Sequence, residues 1–107
     1  MTQEDLAERI RRLLAEEPEV QEMPMFGGLA FMVDDRLLVS VGEDGSLLVR
    51  ADPERHQEFL DRGASRAQLG GGSMGKAWLR IRPGLLTSEE DLGYWVEAAR
   101  DFRRRGF

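Results

Sequence analysis

Few residues in this 107-residue chain have the types that chemistry needs, and their spacing limits them further. His56 is the one histidine, and there is no cysteine. Thiolate nucleophiles, thiolate zinc sites and disulfides are therefore excluded. A catalytic imidazole needs an orienting acid and a face turned to substrate. Asp52 and Glu58 do not lie at a spacing that supplies the acid. The sequence places His56 on the surface or boundary of a helix, one turn before Phe59 and Leu60. The carboxylate runs Ala15–Glu19 and Ser88–Asp91 read as solvated helix ends rather than acid/base pairs. No catalytic residue, no cofactor and no metal site are expected.

Two further segments carry possible binding chemistry. In "LGGGSMGK", Leu69–Lys76, Gly70 and Gly75-Lys76 have the spacing of a phosphate-binding loop. Ala77 stands where a metal-binding hydroxyl belongs, and the next segment has strand periodicity, so no helix N-terminus follows. A small-molecule or nucleotide sensor built on residues 69–76 is the alternative reading. In "KAWLRIR", Ala77, Leu79 and Ile81 alternate with Lys76, Trp78, Arg80 and Arg82. Arginines beside an aromatic suit a protein contact or a stack on single-stranded nucleic acid. A charged, solvent-facing strand explains the same pattern.

These residues need a scaffold, and the periodicity supplies one. Thr2 and Asp5 form a capping pair for a helix over 2–15 with Leu6, Ile10, Leu13 and Leu14 as its apolar stripe. Three strands follow. Leu29, Phe31 and Val33 alternate in the first; Leu37, Val39 and Val41 share one face of the second; Ser46–Ala51 is the third. Short breaks at Asp34-Asp35 and Gly42–Gly45 predict an antiparallel meander. A second helix starts at Asp52-Pro53 and stops at Gly63. The segment Gly63–Gly75 holds five glycines, with a short strand near 66–69. After the strand at 76–82, Thr87 and Glu90 form a capping box for a last helix whose stripe is Leu92, Trp95, Val96, Ala99 and Phe102. The sum is one α+β domain over 1–107: an antiparallel sheet with helices on one face, in the order α-β-β-β-α-β(β)-α.

Bulk properties limit the partners. The net charge of −5 works against non-specific DNA binding. The acidic, amphipathic N-terminus does not read as a signal peptide, and no apolar run suggests a membrane span. A cytoplasmic location is expected. Lys76 is the single lysine among 15 basic residues, leaving 14 arginines, and asparagine is absent. Thermophilic origin and GC-rich codon usage account for that bias equally well.

The series "MFGGLAFMV", "LLVSVGEDGSLLVRADPE", "SMGKAWLRI" and "GLLTSEEDLGYWVEAARDF" resembles the N-terminal domain of the TfoX (Sxy) family, from about Met23 to Phe102. Its most specific parts are Met25-Phe26-Gly27-Gly28 and Trp95-Val96; Met74 and Gly75 belong to a third block. The resemblance implies a two-layer α+β fold like that of secretion chaperones, here as a stand-alone domain. It implies a regulatory, protein-interaction role, since full-length members regulate natural competence alongside a cyclic-AMP receptor protein. The expected partner is a protein, such as a transcription regulator, or a second copy through the sheet. Where the family often has a basic residue and proline before the second methionine, this chain has Gly71-Gly72-Ser73-Met74, and the contact such an element makes is not carried over. The glycines 27 and 28 are expected at a bulge or bend that lets backbone pack closely.

Overall fold

The computed structural model describes residues 2–25, 27–69 and 72–106. Helix α1, Gln3–Leu13, begins at Thr2, whose hydroxyl accepts from the Asp5 N–H while the Asp5 carboxylate accepts from the Thr2 N–H. This reciprocal pair satisfies two of the N–H groups a helix start leaves orphaned. Leu6, Ala7 and Ile10 turn fully inward.

Six strands form one antiparallel sheet. They are β1 (Val20–Met25), β2 (Gly28–Val33), β3 (Arg36–Val41), β4 (Leu47–Arg50), β5 (Ser65–Arg66) and, later in the chain, β8 (Trp78–Ile81), in the spatial order β1-β2-β3-β4-β8-β5. Between β5 and β8, β6 (Gln68–Leu69) and β7 (Gly72–Ser73) make a separate hairpin. The antiparallel meander and the helices on one face agree with the periodicity. Strand β1 is an addition, because residues 20–25 show no alternation to find. The short strand near 66–69 is in fact two, one in each sheet.

The two glycines divide their labour. Met25 pairs with Gly28, so two residues join β1 to β2. Gly27 lies in this connection with φ +75°, a left-handed conformation that glycine adopts freely. Gly28 opens β2, and a Cβ there would collide with the Val41 carbonyl of β3. The pair thus makes a bend and a close approach to a neighbouring strand, but no bulge. The bulge falls between Phe31 and Met32, where Phe31 pairs with Val39 and Met32 with Leu37. Leu38 is the extra residue, and it joins Val39 and Val41 in the core in place of Leu37.

A 3-10 turn at Pro53–Arg55, capped by the Asp52 carboxylate on the Glu54 N–H, leads into α2, His56–Asp61. The predicted single helix is therefore a turn followed by a helix. Gly63 ends it at φ +104°. Helix α3, Glu89–Arg104, is capped by Ser88, whose hydroxyl accepts from the Asp91 N–H at 3.0 Å. Thr87 is one residue too early for this role.

All three helices cover the same face of the sheet. The core joins Leu6 and Ile10 of α1, Phe59 of α2, and Trp95, Val96 and Ala99 of α3 to the inward residues of β2, β3, β4 and β8. Each fully buried Leu, Ile, Phe or Val contributes about 1.5–3 kcal/mol of transfer free energy. Arg9 fastens α1 to the start of α3 through the Leu86 carbonyl at 2.8 Å and Glu89 at 2.8 Å. Glu17, 8% exposed at its side chain, receives Arg100 and Arg103 from the other end of α3.

Candidate functional site

The sheet face turned away from the helices is built from one row of residues. Antiparallel register places Met23, Ala30, Ser40, Leu48, Arg80 and Ser65 side by side across all six strands. Directly opposed residues point to the same side. The neighbouring rows carry Phe31, Val39, Val49 and Leu79 into the core, so this row faces away from the helices. Met23, 39% exposed on the edge strand, is the exposed large hydrophobic residue among those described.

The β6–β7 hairpin leans over the middle of this row. Its base is closed by the Met74 N–H donating to the Ala67 carbonyl at 3.0 Å, and the Ala67 N–H donates to the Trp78 carbonyl at 3.1 Å. Between hairpin and sheet lies a cleft of about 170 Å³. Ser40, Leu48 and Arg80 form its floor, with Gly42 and Ser46 at one end. Ala67, Gln68 and Met74 form its roof.

Asp44 is hydrogen-bonded to two residues that line the cleft. Its carboxylate accepts from the Ser46 hydroxyl at 2.6 Å, the Ser46 N–H at 3.0 Å and the Arg80 guanidinium at 2.7 Å. The two Ser46 donors, then Arg80, stabilise the anion and lower its pKa from 3.8 to about 2. Ser40 is 3% exposed as a residue, and its hydroxyl makes no hydrogen bond among the described residues while keeping some accessible surface. Arg80 commits one nitrogen to Asp44 and leaves Nε and Nη1 without a partner among them.

The four residues proposed as a binding face separate. Arg80 belongs to the cleft. Trp78 is half-buried on the same strand, opposite Arg50, and does not line the cleft. Lys76 and Arg82 are exposed but lie outside the strand, in the turns before and after it. The edge of β2 is covered by β1. Of the motif residues, Met25 ends β1 half-buried, Met74 roofs the cleft, and Gly75 turns the chain at φ +102°. Trp95 is 3% exposed, 5.8 Å from Phe59 and 4.9 Å from Tyr94 between ring centroids, so its role is packing. Phe26, Gly70 and Gly71 lie outside the described residues.

His56 is not at the helix surface. It is 7% exposed, with Nδ1 3.1 Å from the Lys76 carbonyl and Nε2 accepting from Arg66 Nε at 3.2 Å. A guanidinium can only donate, so Nε2 is the bare nitrogen and Nδ1 carries the proton to Lys76. The ring ties α2 to β5 and to the chain entering β8. The carbonyl and the guanidinium engage both ring nitrogens, so neither is open to take a proton from a substrate.

Residues 12–102 match the family described as the TfoX N-terminal domain. The crystal structure of Deinococcus radiodurans protein DR2400, described with a DUF419 domain, is similar with a TM-score of 0.71 at 21% identity. The similarity covers 94% of this chain and 80% of that one, and at this identity it speaks for the fold. No curated protein matches the sequence.

Proposed function

We propose a non-enzymatic, regulatory protein-interaction role for this chain, which belongs to the TfoX N-terminal domain family. The observation that carries the reading is the one-sided sheet. Three helices occupy one face, while the opposite face carries Met23 and Arg80 in one cross-strand row, with Trp78 half-buried on the same strand as Arg80. An exposed methionine, an arginine and an aromatic residue on one face are residue types enriched at protein contacts. The bonding of His56 to Arg66 and to a backbone carbonyl supports the non-enzymatic part.

The partner is a protein, in line with the family's competence and transcription regulation, and the net charge of −5 argues against DNA as the direct contact. No described helix is long and apolar enough to cross a membrane. A pull-down from the native host tests the reading with Trp78→Ala, Arg80→Glu and, on the helix layer, the control Glu8→Lys. Loss of the same partner by about tenfold in the two sheet variants alone is expected. Unchanged recovery in both sheet variants would remove this face from consideration.

A further inference from the structure

We infer that the cleft between the β6–β7 hairpin and the sheet binds a small carboxylate-bearing molecule with a short apolar body. Three observations meet there. The first is size. About 170 Å³ matches a benzene-sized guest, for which about 150 Å³ suffices, and is too small for a nucleoside, whose class of pocket starts near 300 Å³. The second is unmet hydrogen-bonding capacity. Ser40 is 3% exposed as a residue, and its hydroxyl, which keeps some accessible surface, has no partner among the described residues and lines the cleft. The third is the balance of donors. Arg80 brings N–H groups not used by Asp44, and Gln68 brings a side-chain amide to the rim. Donors facing one small space suit an acceptor-only group, and a carboxylate is the compact group that accepts from a guanidinium and a hydroxyl together.

The walls set the rest of the molecule. Leu48 lies between Ser40 and Arg80 in the row, and Met74 and Ala67 close over it. A ligand that reaches Arg80 with its head therefore lays its body on Leu48 under Met74. Methionine adapts to irregular guests, which favours a class of short aliphatic or aromatic acids over a single compound. An inorganic phosphate meets the same donors but offers nothing to the apolar wall.

This inference does not rest on the protein-contact reading, since it uses the purified chain alone. The test is an amide NMR titration with butyrate and benzoate, with butyramide and benzamide as uncharged counterparts, and with inorganic phosphate. The two acids are expected to shift Ser40, Leu48, Gln68 and Arg80 amides saturably, with a Kd of about 1 mM. The amides and phosphate are expected to bind at least about fivefold more weakly. Arg80→Gln should weaken benzoate by about fivefold or more, Ser40→Ala by less, and Arg82→Gln, outside the cleft, should leave it unchanged. The spectrum of each variant shows directly that it is folded. The inference is overturned if neither acid shifts these residues, if benzamide or phosphate matches benzoate, or if Arg80→Gln binds benzoate like the wild type.

Discussion

Arg80 on β8 donates to Asp44, 36 residues earlier in the β3–β4 turn, at 2.7 Å. This ion pair anchors one wall residue of the cleft and joins two elements that share no local sequence. It also gives the domain a defined response to acid. The Asp44 pKa falls from 3.8 to about 2, chiefly through Ser46, so folding favours its ionised form. The stabilisation is complete above the unfolded value of 3.8 and disappears as pH falls through about 2. Both side chains are largely exposed, which limits the effect to less than about 1 kcal/mol. Urea unfolding should show Asp44→Asn less stable than wild type at pH 7, with the gap narrowing as pH falls from 3.8 through about 2. A gap that stays constant over that range contradicts this.

Gly27 and Gly28 should respond to alanine for different reasons. Ala at 27 meets open space but a left-handed φ of +75°, costing about 1 kcal/mol. Ala at 28 presses into the Val41 backbone, which cannot swing aside like a side chain, and should cost about 2–3 kcal/mol. Equal losses on chemical unfolding would be inconsistent with that division.

Asp34 and Asp35 both have positive φ, 52° and 61°, in the two-residue turn between β2 and β3. That is the geometry of a type I′ turn, which favours glycine at its second position. Asp35→Gly should stabilise the domain by about 0.5 kcal/mol, since relief of left-handed strain slightly exceeds the added unfolded-state entropy. Asp34, paired with Arg103 at 2.7 Å, should not be changed with it. A lowered Tm would show the turn already suits aspartate.

The layout of the fold was legible wherever local chemistry decides structure. Thr2 with Asp5, Asp52 with Pro53, and Gly63 announce their helix ends in neighbouring residues. Strand β1 was not legible, because it is the sheet's edge and four of its six residues are exposed. Counting from the two-residue connection, Pro24 falls at a non-hydrogen-bonded position, and its missing donor turns to the open edge. Proline there reads as a strand breaker until the register is known. The exchange of Leu37 for Leu38 was equally hidden, since one inserted residue reverses the alternation without changing composition. Of the candidate face, the single strand was visible in "KAWLRIR". Ser40 and Leu48 became its neighbours only through pairing across the sheet, and Gln68 only through the separate β6–β7 hairpin.

His56→Ala should loosen one side of the molecule selectively. It removes the acceptor for Arg66 and the donor to Lys76, with a loss of about 2–3 kcal/mol. Hydrogen exchange should accelerate at β5 and at the start of β8 while α1 stays protected. Uniform acceleration would mean that the imidazole merely fills the core.

The helix-free sheet face is the surface we propose a protein partner meets. Photo-crosslinking in the native host, with the reactive residue placed in turn at Trp78, Met23 and, on the helix layer, Glu8, measures this most directly. One and the same protein captured from positions 78 and 23, and absent from position 8, is the expected result. Capture from position 8 with none from the sheet positions would contradict it.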